Sequence, residues 1–381
     1  MKALLTELLQ YLEEHEDSLV LRAGAWPLLV LSWAYGLVLK LRWLLIGLTN
    51  PVRVPCAVVS VGNITVGGTG KTPLTAWLAQ FLDRRGFKVA VVGHGYGARR
   101  GQSFVLLRGA ELSSQAPLLA GDEAALLSRV LPSLPVASGS RKSAVLLSVS
   151  RKLKPHVVLM DDAFQSILVR RDLDIVLIDA TNPWGKGYLL PRGRLREPKE
   201  SLSRADIVVL TRCNQASGLG GLAMEIESLT TAPIVRAEHV IRGLWRLPSW
   251  TEMDTHALER TKVFALSGIA NPLSFEETLS QAGAEIVGAG RFPDHHFFSG
   301  KDLARMREEA SAAGAQFVIA TEKDALRFPE GAGFSDRMPA LALGVRLEIV
   351  AGRDIMERML LARVERRLHR GRPDGVGCQE E

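Results

Sequence analysis

The stretch "VGNITVGGTGKTP", from Val61 to Pro73, decides the fold expected for this chain. It follows "CAVVSVG", a β-branched run that predicts a buried strand, and leads into "KTPLTAWLAQFLDRRG", which predicts a helix ending at Gly86. A glycine-rich loop between a strand and a helix wraps an anion with its backbone N–H groups. The loop therefore predicts a nucleotide site, although Thr65 stands where the strict P-loop spacing has glycine.

Eight consecutive residues of this loop are the expected nucleotide ligands. Glycine lets the backbone approach an anion closely because it has no Cβ. We expect Lys71 to neutralise the β- and γ-phosphates of ATP, and so to take part in catalysis. We expect Thr72 to offer its hydroxyl to Mg²⁺. The eight are Thr65, Val66, Gly67, Gly68, Thr69, Gly70, Lys71 and Thr72.

Strands and helices alternate along most of the chain. Buried runs such as "PHVVLMDD", "LDIVLIDA" and "ADIVVLTR" are separated by helical stretches, which predicts an α/β fold of the P-loop NTPase kind. Its sheet should be mostly parallel, with helices on both faces. The pattern changes at "APIVRAEHVIRGLWRL", which alternates like exposed strands, and restarts at "KVFALSGIANPLSFEETLSQAG".

These changes of pattern predict five segments. They are an N-terminal helical membrane-association segment (1–50), a P-loop kinase core (51–232), a two-stranded connection (233–260), a smaller C-terminal α/β domain (261–370) and a tail (371–381).

An uncharged run from Ala23 to Leu39 lies near the N-terminus, among basic and tryptophan residues. Its length is at the lower limit for a membrane-spanning helix, and Pro27 and Gly36 weaken that interpretation further. A buried core helix and a helix lying in an anionic membrane surface are the other interpretations. Apolar bulk with basic flanks and tryptophan favours the surface helix.

Two pairs of acidic residues are candidate catalytic and metal-binding groups. Asp161 and Asp162 end the strand "VVLMDD", and a carboxylate there, beside a P-loop strand, holds Mg²⁺ directly or through water. Asp122 and Glu123 begin a helix in "GDEAALL", where adjacent acids supply a base for a hydroxyl and a second metal contact. Helix capping is the alternative role for both pairs.

Two further motifs carry ionisable side chains. In "FPDHHFF", Asp294 precedes His295 and His296, and an Asp-His pair can orient and polarise a catalytic group; a structural role is the alternative. In "GKGYLLPRGRLREP", three arginines could face a phosphate or an acidic lipid headgroup, or lie in a solvated surface loop. They are Arg192, Arg194 and Arg196.

The composition excludes several classes of protein. A hydrophobic content of 47% and a charged content of 23% are typical of a globular protein. The three cysteines, Cys56, Cys213 and Cys378, have no zinc or disulfide spacing, which favours a reducing, cytosolic setting. An aromatic content of 6% gives no stacking platform, so we expect no nucleic-acid partner.

Together these stretches resemble one family, the tetraacyldisaccharide 4′-kinases of Gram-negative bacteria. The resemblance extends from about Leu21 to Phe328 and follows the family's order of motifs. The most specific are "VGNITVGGTGKTP", the "LLP-x-G-x-LREP" loop and "TEKDA". Thr65 is normal in that family's loop.

The resemblance implies an ATP-dependent lipid kinase. It would transfer the γ-phosphate to the 4′-hydroxyl of an acylated glucosamine disaccharide 1-phosphate, in lipid A biosynthesis. Asp122 would be the catalytic base, with His295 raising its basicity from the second domain, so that domain closure would assemble the site and exclude water. The groups expected near Mg²⁺ are Thr72, Glu123, Asp161 and Asp162. The N-terminal helix would attach the enzyme to the cytoplasmic face of the inner membrane.

Two segments depart from the family pattern. The family's "S-R-G-Y-G" is replaced by Gly93-His94-Gly95-Tyr96-Gly97, which lacks an arginine that would contact an anion. The family's "DDG-[LF]-QH" is replaced by a segment with Ala163 in place of the glycine and Ser166 in place of the histidine. We therefore expect a divergent member with an altered loop behind the metal.

Two other functions are consistent with the P-loop alone. One is a soluble P-loop kinase or ligase for a small polar substrate, which leaves the apolar N-terminal run unexplained. The other is a nucleotide-switched scaffold, which leaves the "LREP" arginines and the Asp-His pair unexplained. Lipid-independent ATP turnover would favour the switch.

Overall fold

A computed structural model describes residues 26–46, 49–93, 95, 104–109, 116–329 and 338–370. The first 25 residues of the predicted membrane-association segment, the tail 371–381, and His94, Tyr96 and Gly97 of the first departing segment lie outside the described residues.

Ten α-helices occur in the described part of the chain. They are α1 (Trp26–Ile46), α2 (Lys71–Arg84), α3 (Ala116–Ala120), α4 (Asp122–Val130), α5 (Lys142–Leu153), α6 (Leu219–Leu229), α7 (Pro272–Gln281), α8 (Gly300–Ala312), α9 (Glu322–Ala325) and α10 (Arg353–Arg370).

Within the residues that the structure describes, thirteen strands join in a single sheet. They are β1 (Ala57–Asn63), β2 (Val89–Val92), β3 (Val105–Leu107), β4 (Val136–Ser138), β5 (Val157–Asp161), β6 (Leu173–Asp179), β7 (Ile207–Thr211), β8 (Ile234–Arg246), β9 (Thr251–Met253), β10 (Lys262–Ser267), β11 (Glu285–Arg291), β12 (Phe317–Thr321) and β13 (Ala340–Ala351). Their order is β11-β10-β12-β13-β8-β7-β6-β1-β5-β2-β4-β3, with β9 beside β8. Most neighbouring pairs are parallel, which confirms the predicted fold class.

The sheet is continuous across the predicted domain boundaries. Strand β8 pairs in parallel with β7 on one side and antiparallel with β13 along most of its length on the other. Its short hairpin with β9 lies inside the predicted connection, whereas β13 comes from the predicted C-terminal domain. The division into domains therefore stays a prediction.

The P-loop strand β1 is central, because it lies between β5 and β6 and all seven of its residues are buried. Helix α2 packs on it through Leu74, Leu78 and Leu82, each fully buried, and each such side chain contributes about 1.5–3 kcal/mol. The last helix, α10, joins the same core through Leu360 and other residues. Sequence periodicity did not reveal this return of the chain's end to the P-loop core.

Helix α1 is mostly exposed, with only Ser32 and Leu39 buried. Trp26, Trp33 and Leu44 are 65%, 66% and 72% exposed, so the structure excludes the buried core helix. Within the described residues, α1 is the one helix long and apolar enough to cross a membrane.

Candidate active site

The phosphate loop begins where β1 ends, at Asn63, and α2 begins at Lys71. Gly70 precedes α2 with a φ of 86°, a left-handed conformation that favours glycine. A Cβ at this position would lie 2.7 Å from Nε2 of His239, so glycine is also required for space. Both constraints fix the turn that points the loop's N–H groups toward a phosphate.

Two residues at the end of β7 donate hydrogen bonds to the backbone of the phosphate loop. Thr211 Oγ1 donates to the carbonyl of Thr69 at 3.0 Å, and Arg212 Nη2 donates to that of Gly68 at 2.6 Å. Arg212 also pairs with Asp179, which ends β6, and both side chains are buried. The run "ADIVVLTR" predicts only a strand and gives no role to Arg212. The sequence does show that Asp179 and Arg212 lie at the ends of two buried strands, and this placement could have indicated their ion pair.

Asp161 lies directly beside the start of α2. Its carboxylate accepts hydrogen bonds from Thr72 Oγ1 at 3.0 Å and from Thr75 Oγ1 at 3.2 Å. Burial, together with the nearby charge of Glu123, raises the pKa of Asp161 to about 6. Lys142 donates to the carbonyl oxygen of Asp161 at 2.8 Å and to that of Asp162.

Asp162 is bound by cations instead. Arg196 Nη1 donates to its Oδ1 at 2.8 Å, and Lys71 Nζ lies 3.7 Å from the same oxygen. Burial alone would raise the pKa of Asp162, but Lys71, Arg196 and Lys142 outweigh it and hold the pKa well below its usual range. Of the three loop arginines, Arg196 is thus half-buried and paired with a carboxylate.

The residues beside Lys71 suit Mg²⁺. A P-loop hydroxyl, Thr72, is hydrogen-bonded to a buried strand-end carboxylate, Asp161, and Glu123 is close enough to raise the pKa of that carboxylate. Among the described residues, no group of three or more His, Cys, Asp or Glu side chains forms a metal cage. This is the expected pattern, because Mg²⁺ at kinase sites takes one or two carboxylates and completes its shell with phosphates and water.

Asp122 and His295 are in contact. His295 Nδ1 lies 2.8 Å from Asp122 Oδ2, while Oδ1 accepts from the backbone N–H of Glu123 at 2.9 Å. Lys323 Nζ and Arg327 Nη1 lie 3.5 and 3.6 Å from Oδ2. Burial would raise the pKa of Asp122, but these cations and the imidazole hold it well below its usual range.

Lys323 lies in the "TEKDA" motif and Arg327 follows it by two residues, and the motif itself predicts no contact with Asp122. Lys323 is half-buried between Asp122 and Asp294, and those carboxylates raise its pKa although removal from water would by itself lower it. His296 turns elsewhere, with Nε2 3.2 Å from Asp302 and its ring stacked on Phe292. Of the two histidines, only His295 reaches the site.

A cleft of about 570 Å³ joins these groups. Lys71, Thr72, Glu123, Asp294 and Lys323 all line it, together with the glycine loop. The cleft therefore joins the glycine loop and Thr72 to Asp294 and Lys323, which are direct neighbours of His295 and Asp122.

The second departing segment is well packed. Ala163 is fully buried, and its N–H donates to the carbonyl of Val61 in the P-loop strand at 3.0 Å. The next residue, Phe164, lies so close to Gly62 that a Cβ there would meet it at 2.5 Å. Gln165 donates to the carbonyl of Asn63 at 2.8 Å.

Comparison with known proteins agrees with this geometry. The family model described as tetraacyldisaccharide-1-P 4′-kinase matches residues 24–365. The chain belongs to the tetraacyldisaccharide 4′-kinase family. Relatives named tetraacyldisaccharide 4′-kinase include one from Anaeromyxobacter sp. (strain Fw109-5), 39% identical over 84% of this chain and 86% of the relative. Another, from Syntrophus aciditrophicus (strain SB), is 36% identical over 84% of this chain and 87% of its own.

A solved structure of the same family shares the fold. The crystal structure of LpxK from Aquifex aeolicus in complex with ATP superposes with a TM-score of 0.68 and 26% identity, over 90% of this chain and 99% of that one. Family membership confirms that the protein is an ATP-dependent kinase. It removes the nucleotide-switched scaffold and the ligase as interpretations.

Proposed function

We propose that the protein transfers the γ-phosphate of ATP to the 4′-hydroxyl of tetraacyldisaccharide 1-phosphate, a step of lipid A biosynthesis. The observation that carries this proposal is one cleft that is lined by Lys71 and Thr72 and also by Asp294 and Lys323. Asp294 lies 3.5 Å from His295 and Lys323 lies 3.5 Å from Asp122, so the Asp122–His295 pair borders the same cleft. The family model and the named relatives support the choice of substrate.

Each group at the loop has a distinct part in phosphate transfer. The N–H groups of the loop that follows Val66 bind the ATP phosphates, and Lys71 neutralises charge on the β- and γ-phosphates. Thr72 and Asp161, with Glu123 nearby, would hold Mg²⁺, which neutralises charge that develops on the phosphates. Asp162 sets the position of the Lys71 ammonium through their ion pair.

Asp122 accepts the proton of the sugar hydroxyl, with His295 as its partner. A carboxylate of low pKa is a weak base, but a loose phosphoryl-transfer transition state requires little proton removal before the phosphoryl group moves. The low pKa also keeps Asp122 ionised throughout the neutral range. Orientation by His295, Lys323 and Arg327 then matters more than basicity.

The exposed apolar face of α1 attaches the enzyme to the membrane that carries its lipid. Four of its tryptophan and leucine side chains are more than 60% exposed, and Arg42 lies within the helix while Arg53 follows it. Such a helix lies in an anionic bilayer surface. Because ATP is cytosolic, we assign this surface to the cytoplasmic face of the inner membrane.

Incubation with the lipid tests the proposal. The purified protein receives ATP labelled on the γ-phosphate, Mg²⁺ and tetraacyldisaccharide 1-phosphate in detergent micelles, and labelled lipid is the expected product. Lys71→Ala should lose at least about 10²-fold in rate, because an uncompensated phosphate charge remains. Lipid-independent hydrolysis of ATP, with no labelled lipid, would contradict the proposal.

A further inference from the structure

Helix α1 contacts the rest of the protein through hydroxyl groups. Ser32 Oγ donates a hydrogen bond to the carbonyl of Leu189 at 2.7 Å. It also accepts a hydrogen bond from the backbone N–H of Arg192 at 3.2 Å. Tyr35 Oη donates to the carbonyl of Arg196 at 3.0 Å. Three hydrogen bonds therefore join one face of α1 to the segment 189–196.

The opposite edge of that segment is bound to the phosphate loop. The N–H of Val66 donates to the carbonyl of Arg194 at 2.7 Å, and the N–H of Arg196 donates to that of Ile64, also at 2.7 Å. An antiparallel bridge joins Thr65 to Leu195 between them. The segment 189–196 thus lies as a narrow layer between α1 and the entry of the phosphate loop.

Arg196 is the charged side chain that this layer presents to the site. Its guanidinium donates to Asp162 Oδ1 at 2.8 Å and to Asn63 Oδ1 at 3.2 Å. Asp162 in turn lies beside Lys71. A displacement of the Arg196 backbone therefore moves the charges next to the transferring phosphate.

We propose that Ser32 and Tyr35 are positioning residues, which couple the placement of α1 to the placement of Arg196 and Asp162. When α1 lies in the lipid surface, its apolar face contacts the lipid and its hydroxyls contact the segment 189–196. These contacts keep Arg196 in the position that phosphorylation of the acceptor lipid requires. The proposal rests on the lipid-kinase function proposed above.

The chemistry of the contact supports this role. The Ser32 and Tyr35 hydroxyls contact opposite ends of the segment 189–196. Because both donate to backbone carbonyls, they fix the backbone of the segment rather than the rotamer of one of its side chains. Burial raises the pKa of the Tyr35 phenol, which stays protonated and continues to donate. A cation also fixes the same helix, since Arg42 donates to the carbonyl of Gln165 at 3.2 Å.

The test uses Tyr35→Phe and Ser32→Ala, each of which removes a hydroxyl without changing the apolar face. We expect each to raise the KM for the lipid or lower kcat about three- to tenfold, as the loss of one partly buried hydrogen bond does. The KM for ATP and the binding to vesicles of phosphatidylglycerol and phosphatidylethanolamine should stay unchanged. Thr49→Val is the matched control, because the Thr49 hydroxyl donates to the carbonyl of Ile46 in the same turn and not to the segment 189–196.

A double-mutant cycle separates positioning from general support. If Tyr35 acts through the Arg196 side chain, Tyr35→Phe should add little to the loss that Arg196→Ala causes alone. Additive losses, wild-type kinetics, or losses explained by weaker vesicle binding would overturn the proposal.

Hydrogen exchange gives a readout that needs no lipid turnover. On vesicles, amides of residues 189–196 should exchange faster in the Tyr35→Phe/Ser32→Ala protein than in the wild type, while those of β5 stay unchanged. Equal exchange in this segment would overturn the coupling. A wild-type enzyme that leaves the lipid unphosphorylated would instead contradict the proposed function, whatever the exchange shows.

Discussion

The phosphate loop depends on one glycine whose role becomes clear only in three dimensions. Gly70 combines a left-handed φ with contact on His239, whereas Gly86 has a similar φ of 81° and open space around it. Alanine at either position should cost about 1–2 kcal/mol of stability for the backbone conformation. Alanine at Gly70 must also displace His239.

We therefore expect Gly70→Ala to weaken ATP binding and lower the midpoint of unfolding more than Gly86→Ala does. Isothermal titration with ATP and chemical denaturation measure the two effects. Equal losses of stability and intact ATP binding in both variants would show that the contact with His239 does not shape the loop.

His239 makes stability depend on pH. Burial and the nearby Arg212 lower its pKa to about 3, so the folded protein keeps it neutral while the unfolded chain protonates it near pH 6.5. Between these values the unfolded state binds more protons, and stability falls as the pH is lowered.

From pH 7 to pH 5 we expect this histidine to reduce the free energy of unfolding by about 2 kcal/mol. In the His239→Gln variant, the free energy of unfolding should fall by about 2 kcal/mol less over the same pH range. Denaturant titrations of both proteins at the two pH values measure the difference. An identical pH dependence would mean that His239 does not remain neutral in the folded protein.

Asp122 is the residue on which proton transfer depends most. Asp122→Asn keeps its shape and removes its charge, so the rate should fall about 10²–10⁴-fold while ATP still binds. His295→Gln should lose less, since it removes only the partner. Rapid-quench kinetics give the rate, and a near-normal rate in Asp122→Asn would place the base elsewhere.

At the scale of elements, the local sequence pattern was sufficient to predict strands, loops and helices that follow one another directly in the chain. The strand β1, the loop and α2 were predictable, because hydrophobic runs and glycine, lysine and threonine at fixed spacing specify them. The strand-end position of Asp161 followed from the same pattern. The pairing of Asp122 with His295 came from the family resemblance.

Contacts between distant segments were not predictable in this way. Arg196 binds Asp162 from a loop 34 positions along the chain, and Arg212 supports the carbonyl of Gly68 from 144 positions away. A glycine- and proline-containing loop has no periodicity that reveals which way an arginine faces. Similarly, α10 was expected to belong to the C-terminal region, but it packs on the P-loop core. The amphipathic pattern of a helix shows which of its faces is buried but does not identify the surface on which it packs.

At the scale of the whole molecule, ionic contacts join the P-loop core to the C-terminal part. Arg129 of α4 donates to Glu322 of α9 at 3.0 Å, and Arg242 of β8 donates to the same carboxylate at 2.5 and 2.6 Å. Arg129 also stacks on Trp250, 3.7 Å from the ring centroid. Beside them, Lys323 reaches Asp122, so one short helix ties the two parts together at the cleft.

Glu322→Gln should destabilise the protein by about 1–3 kcal/mol, because it leaves two partly buried guanidinium groups without a counter-charge. The effect should shrink in an Arg129→Gln/Glu322→Gln double variant, which removes one of the unpaired charges. Urea unfolding followed by tryptophan fluorescence measures both. A double variant with the summed losses of the singles would contradict the ionic link.

The central claim is that one cleft delivers the γ-phosphate of ATP to the 4′-hydroxyl of a membrane lipid. Phosphorus–proton correlation NMR of the lipid recovered after incubation with enzyme, ATP and Mg²⁺ locates each phosphate on the disaccharide. The account predicts a new phosphate correlated with the 4′-proton, absent with Asp122→Asn over the same interval. A lipid with its single original phosphate while ATP is consumed, or a new phosphate at another hydroxyl, would contradict it.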